Sequence, residues 1–165
     1  MRTAVVGGIL LGVLVTLWTA LVVLTGWYKD PALVWTFWVL VIIEIAVLAW
    51  TLKRTAAEGR GYGGQVAVGL VASLVGGVLI FLGSLLVTTV LAPEYFEEVR
   101  RMGAELARQA GQSEAEVQRL LEAPTQSPVQ GALAGFLGTV GTGLLVSVVL
   151  AAFLRERPRA TVKVR

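Results

Sequence analysis

Four long apolar runs constrain this 165-residue chain more than any other feature, and a single charged residue, Glu44, lies inside them. No charge falls between Arg2 and Lys29, and Pro31 to Leu52 carries only Glu44. The stretches between Arg60 and Glu94, and between Glu122 and Arg155, are also uncharged. Each run exceeds the roughly 18–20 residues that cross a hydrocarbon core about 30 Å thick. The expected fold is therefore all-α, a bundle of four transmembrane helices over ~4–27, ~32–52, ~64–92 and ~128–154, with ends placed to within a few residues. One integral membrane domain, 1–165, accounts for the whole chain and ends in a basic tail at 155–165.

Charge sets the orientation. Basic residues favour the cytoplasmic side of short loops. With both termini inside, that side holds Arg2, Lys53, Arg54, Arg60, Arg155, Arg157, Arg159, Lys163 and Arg165. The outer side holds Lys29, Arg100, Arg101, Arg108 and Arg119, spread over a longer stretch. The net charge of +3 is thus membrane-flanking and gives no sign of nucleic-acid binding. Trp27, Tyr28, Trp35 and Trp38 are placed for an outer aromatic belt and Trp50 for an inner anchor. The first run continues past the 7–15 residues of a signal peptide and meets no small-residue cleavage site, so it reads as a retained span.

The chain has no cysteine and no histidine. Disulfides, thiolate nucleophiles, histidine-ligated haem and the common zinc or copper sites are thereby removed. No metal or cofactor is expected, and no catalytic residue is identified.

Between the third and fourth spans, ~93–124 reads as an extramembrane amphipathic helical hairpin. Tyr95, Phe96, Val99, Met102 and Leu106 recur at helical spacing and form its candidate docking face. Gly111 can end the first helix, and Ser113-Glu114-Ala115-Glu116 is a capping box that starts the second. Ser127-Pro128 reads as the cap and first residue of the fourth span. Docking on its own bundle, on a partner protein or on the membrane surface all fit the hairpin. Its excess of acids disfavours anionic lipid headgroups.

Helices in lipid associate by close packing, which small residues permit. Three spans carry such residues at every fourth position: Gly8, Gly12, Thr16 and Ala20; Gly69, Ser73 and Gly77; and Gly131, Gly135, Thr139, Gly143 and Ser147. The second span has no glycine and is bulky, so spans one, three and four are expected to form the tight core. The long fourth-span stripe is the candidate surface for a partner subunit or a second copy.

Glu44 costs on the order of 2.5–3.5 kcal/mol to place near the bilayer centre, which makes it a functional candidate by default. Its neighbours at three and four residues, Leu40, Val41, Val47 and Leu48, are apolar. Counting inward from the span ends puts Ser73 and Ser147 at its depth, with Thr16 a turn away and no Lys or Arg nearby. Glu44 is expected to be protonated, to hydrogen-bond to Ser73 or Ser147, or to pair with another protein.

The second half resembles a bacterial membrane family, domain-of-unknown-function family 4199. The resemblance rests on Gly63-Gly64-Gln65-Val66-Ala67-Val68-Gly69-Leu70, on Ala92-Pro93-Glu94-Tyr95-Phe96, on Gly111-Gln112-Ser113-Glu114-Ala115-Glu116 and on the fourth span. It implies a four-span bacterial membrane protein with a long third loop and carries over no catalytic residue. The sequence thus leads to a small non-catalytic protein of the bacterial inner membrane, with both termini cytoplasmic. The expected role is an accessory or structural subunit packed in the lipid bilayer against a larger membrane complex, respiratory or transport. The alternative is a homo-oligomeric channel or transporter using Glu44. An enzyme acting on lipid-linked substrates ranks last for want of an acid–base or metal cluster, and no small-molecule substrate is identifiable.

Overall fold

The computed structural model describes residues 1–154, and the basic tail expected at 155–165 lies outside them. Helix α1 covers Arg2–Leu24, α2 Trp38–Ala56, α3 Tyr62–Leu86, α4 Tyr95–Gln109, α5 Glu114–Glu122 and α6 Pro128–Leu154. Four helical segments are long and apolar enough to cross a membrane: Arg2–Leu24, Pro31–Ala56, Tyr62–Leu91 and Pro128–Leu154. The expected all-α bundle is the observed one.

The helix ends follow local chemistry. Gly26 has φ of 74°, a left-handed conformation that suits glycine and stops α1 before the aromatic pair Trp27-Tyr28. Asp30 then accepts from the Ala32 amide at 2.9 Å and Pro31 opens a 3-10 stretch, Pro31–Phe37, that leads into α2. The C-terminal end of α2 differs from expectation. A span ending at ~52 leaves Lys53 and Arg54 in the following loop, yet the helix runs one turn further to Ala56. Basic side chains suit the negative end of a helix, so they extend α2 rather than end it. A π turn at Val87–Leu91 closes the third span.

Helix α3 is the hub. It packs most extensively against α6 on one side and α1 on another, while α2 contacts all three less. Its two faces use different glycines. Toward α6, a Cβ on Gly69 would run into Ser147, and one on Gly77 would meet the Phe136 ring at 2.9 Å. Toward α1, a Cβ on Gly76 would come within 3.1 Å of the Gly8 carbonyl oxygen, and one on Gly12 within 2.5 Å of Leu79. Gly83 holds Thr16 in the same way. Gly69 and Gly77 were legible as one stripe; the second stripe, Gly76 and Gly83, was not. Near the N-terminus, Gly7 of α1 lets Thr51 of α2 approach.

Two polar devices tie the ends. Gln65 is fully buried in the first turn of α3. Its amide satisfies both groups when Nε2 donates to the Leu52 carbonyl (3.1 Å) and Thr55 Oγ1 (3.0 Å) while Oε1 accepts from the Ala56 amide (2.6 Å). It thus bridges the Leu52 carbonyl and the Ala56 amide of the last turn of α2 from a neighbouring helix. At the other end the Trp18 indole donates to the Thr36 carbonyl at 3.2 Å, joining α1 to the 3-10 stretch.

Helices α4 and α5 form the expected hairpin. Gly111, at φ 76°, ends α4. The capping box is in place, with the Ser113 amide donating to Glu116 Oε2 (3.0 Å) and the Glu116 amide to Ser113 Oγ (3.4 Å). The Ser113 hydroxyl, donating to Glu116 Oε2 at 2.8 Å, and the Ser113 amide together hold the Glu116 carboxyl below the usual carboxylate range. Ala104, Ala107 and Val117 are the hairpin's own small core, with Leu121 against it. Ser127 caps α6 by accepting from the Gln130 amide at 3.2 Å, and Gln130 Oε1 reciprocates at 2.9 Å.

Candidate functional site

Of the predicted hairpin face, Tyr95, Phe96 and Val99 meet the bundle. Tyr95 and Val99 pack on the cluster of Val22, Val23, Tyr28, Val87 and Ala92. Tyr95 lies against Tyr28 with ring centroids 4.9 Å apart. Tyr28 is therefore buried at 4% exposure and is no part of an aromatic belt, unlike the exposed Trp35 and Trp38. Burial, with Tyr28 close by, holds the Tyr95 phenol above its usual range, so it remains a neutral donor. The Phe96 ring rests on Gly131 of α6, where a Cβ would collide with it. Met102 is buried further along α4 and Leu106 is half-buried. Lys29 and Glu98 add an ion pair at 3.7 Å across the same junction.

Beneath the hairpin, α2 and the hairpin-side half of α6 stand apart, and a cavity of about 390 Å³ fills the space. Val15, Thr16 and Thr19 line it from α1, Leu40, Val41 and Glu44 from α2, and Ile80 and Ser84 from α3. Gly131, Gly135, Gly138, Thr139 and Thr142 line it from α6, and Tyr95, Phe96 and Gln126 close the hairpin end. From Gly131 to Thr142 the cavity runs about 16 Å along α6, at 1.5 Å per residue. Glu44 is at the deep end. Beyond it, Val47, Leu48, Thr51 and Leu52 are buried and the helices close up.

Glu44 is only 7% exposed, and its Oε1 has no hydrogen-bond partner among the described residues. The same holds for Ser73 Oγ and Ser147 Oγ, so the expected hydrogen bond from Glu44 to either serine does not form. Register explains part of this. Because α2 ends at Ala56 rather than Leu52, the residue of α6 level with Glu44 lies one turn away from Ser147, at Gly143. A Cβ on Gly143 would lie 3.0 Å from Glu44 Oε1 and 2.7 Å from Ser73 Cβ. Ser73 and Glu44 thus meet at Gly143, while Ser147 faces Gly69.

The fourth-span stripe divides. Gly143 and Ser147 serve the α3 contact and Gly131 receives Phe96, all within the chain. Gly135 has only Ile80 near its Cβ position, at 3.8 Å, and with Thr139 it forms cavity wall rather than a packing seam. Sequence reasoning missed Thr19, Ser84, Thr142 and Gln126. The hydroxyl pairs Thr16/Thr19 and Thr139/Thr142, each three apart on an apolar helix, were the available signal. Among the described residues no cluster of acidic, histidine or cysteine side chains could hold a metal ion.

A family model described as "Protein of unknown function (DUF4199)" matches residues 7–156. No curated protein and no solved structure matches the chain.

Proposed function

Since the chain belongs to the DUF4199 family, whose description names no activity, we propose on the strength of its residues that it is a small, non-catalytic membrane protein whose working part is a ligand-binding cavity. One observation carries the reading. A buried acid without a hydrogen-bond partner for Oε1 lies at the end of a cavity of about 390 Å³, within the size range of small-molecule sites. Ionisable groups inside a membrane are costly to keep and mark pathways or binding sites. The packed turn beyond Glu44 favours a closed site over a through-pore within one chain. The distribution of basic residues favours the inner membrane, with both termini cytoplasmic and the hairpin outside.

Reaction with N,N′-dicyclohexylcarbodiimide, an apolar carboxyl reagent, tests this reading. Mass spectrometry should find Glu44 labelled in the unaltered protein and protected in Gly135→Leu, whose side chain fills the cavity. A Glu44 that stays unlabelled in the unaltered protein, or reacts equally in both, removes the reading.

The accessory-subunit reading retains one support. Gly141 is exposed on α6 outside the cavity and has nothing within 4 Å of its Cβ position, leaving a flat spot where a second membrane helix could approach. Mild-detergent purification with mass spectrometry tests it: stoichiometric membrane subunits support it, and a lone monomer opposes it.

A further inference from the structure

From the chemistry of the cavity walls we infer that the ligand is an organic monocation, an amine or quaternary ammonium with an apolar body. This rests on the cavity being a binding site and adds the class of what it binds.

The charge is one-sided. Glu44 supplies a carboxylate, and Thr16, Thr139 and Thr142 add hydroxyls whose oxygens can face a positive centre. Among the described residues no lysine or arginine lines the space, so an anion would meet Glu44 with nothing to offset it. In such a low-dielectric setting an unscreened like charge is expensive. A neutral ligand could draw only a hydrogen bond from Glu44, whereas a monocation gains a charge-assisted one.

Size and wall chemistry separate an organic cation from a bare metal ion. Calcium is held by six to eight oxygens at bonding distance, and magnesium needs a tight octahedron. Here one carboxylate faces a volume of about 390 Å³, room for roughly a dozen waters at about 30 Å³ each. The exposed wall surface is mostly apolar, with Val15, Leu40, Val41 and Ile80 as its aliphatic part, which suits the hydrocarbon part of an amine. The hairpin end presents Tyr95 and Phe96, whose ring faces attract cations. Tyr95 and Phe96 lie edge to face with centroids 5.1 Å apart, so rings at differing angles border that end.

Three probes of one branched shape isolate the charge: choline, 3,3-dimethylbutan-1-ol and 3,3-dimethylbutyrate, carrying one positive, no and one negative charge. Each is titrated against the full-length protein in an uncharged detergent by ligand-observed NMR. Choline should bind about tenfold tighter than the alcohol, and the carboxylate should not bind. Glu44→Gln should reduce choline to the level of the alcohol, while Gly141→Leu, outside the cavity, changes nothing. Equal binding of choline and alcohol, or a preference for choline that survives Glu44→Gln, overturns the inference. If the alcohol binds as well as choline and Gly135→Leu abolishes both, the cation class falls and the cavity site stands. If none of the three binds, both fall. The charge series on the unaltered protein decides the matter even where a variant folds poorly.

Discussion

Ser147 of α6 occupies the space that a Cβ on Gly69 of α3 would need, and one turn along, Ser73 of α3 stands in the same relation to Gly143 of α6. The two helices run antiparallel, so each contributes a serine and a glycine to a reciprocal pair. Their hydroxyls find no hydrogen-bond partner there, and backbone proximity rather than polar bonding accounts for the contact.

Gly143→Leu should therefore lower stability by about 3 kcal/mol, the upper part of the range for overpacked cores. Gly135→Leu should change it by less than about 1 kcal/mol, because the new side chain enters open cavity. Thermal melting in detergent compares the two. Similar losses would mean that Gly135 is a packing residue after all.

Gln65→Leu should destabilise by about 1–3 kcal/mol, the cost of leaving buried polar groups unsatisfied. The loss should be local: hydrogen exchange at the end of α2, around Leu52 to Ala56, rises first. Uniform exchange across the bundle would show that the amide is not a cap for that helix.

Phe96→Ala should free the base of the hairpin from α6. The ring is half-buried, so about 1–2 kcal/mol of apolar contact is removed, well short of a full core deletion. Faster proteolysis within Tyr95–Gln109, with an unchanged melting temperature of the bundle, is the expected result. Resistance equal to that of the unaltered protein would show that Gly131 does not anchor the hairpin.

The hairpin should loosen in acid. The Arg100 hydrogen bond, with Arg101 close by, holds Glu97 below the usual carboxylate range, and Ser113 does the same for Glu116. A lowered folded-state value means that these carboxylates stabilise the hairpin above the ordinary glutamate range, near about 4.3. That contribution is lost as the pH falls through the lowered values. Exchange protection of α5, corrected for intrinsic rate, should fall below about pH 4. Ser113→Ala should cost the helix about 1 kcal/mol and reduce Glu116's share of the acid response to what the retained Ser113 amide supplies.

The spans were legible because hydropathy alone decides them, and the capping box at Ser113 and the cap at Ser127 were legible because their chemistry is local. Lys53 and Arg54 misled because charge marks both loops and the last turn of a helix. That single turn moved the expected partner of Glu44 from Gly143 to Ser147. Gly135 and Thr139 were read as packing residues because periodicity places them on one face with Gly131 and Gly143 without revealing where α2 stands off. Gln65 sat unremarked between glycines, since nothing local tells a buried amide from a loop amide. Glu44 stood out as the lone acid, but its cavity depends on the spacing of helices remote in sequence.

The two glycine faces of α3 have a further implication for how this helix can vary. Each residue turns the helix by about 100°. One residue inserted between Gly69 and Gly83 would swing every later position off its neighbour, whichever amino acid were added. Gly69 could still admit Ser147 while Gly83 no longer admitted Thr16, or the reverse. That stretch is thus intolerant of any change in length, behaving as a ruler against which both flanking helices are set.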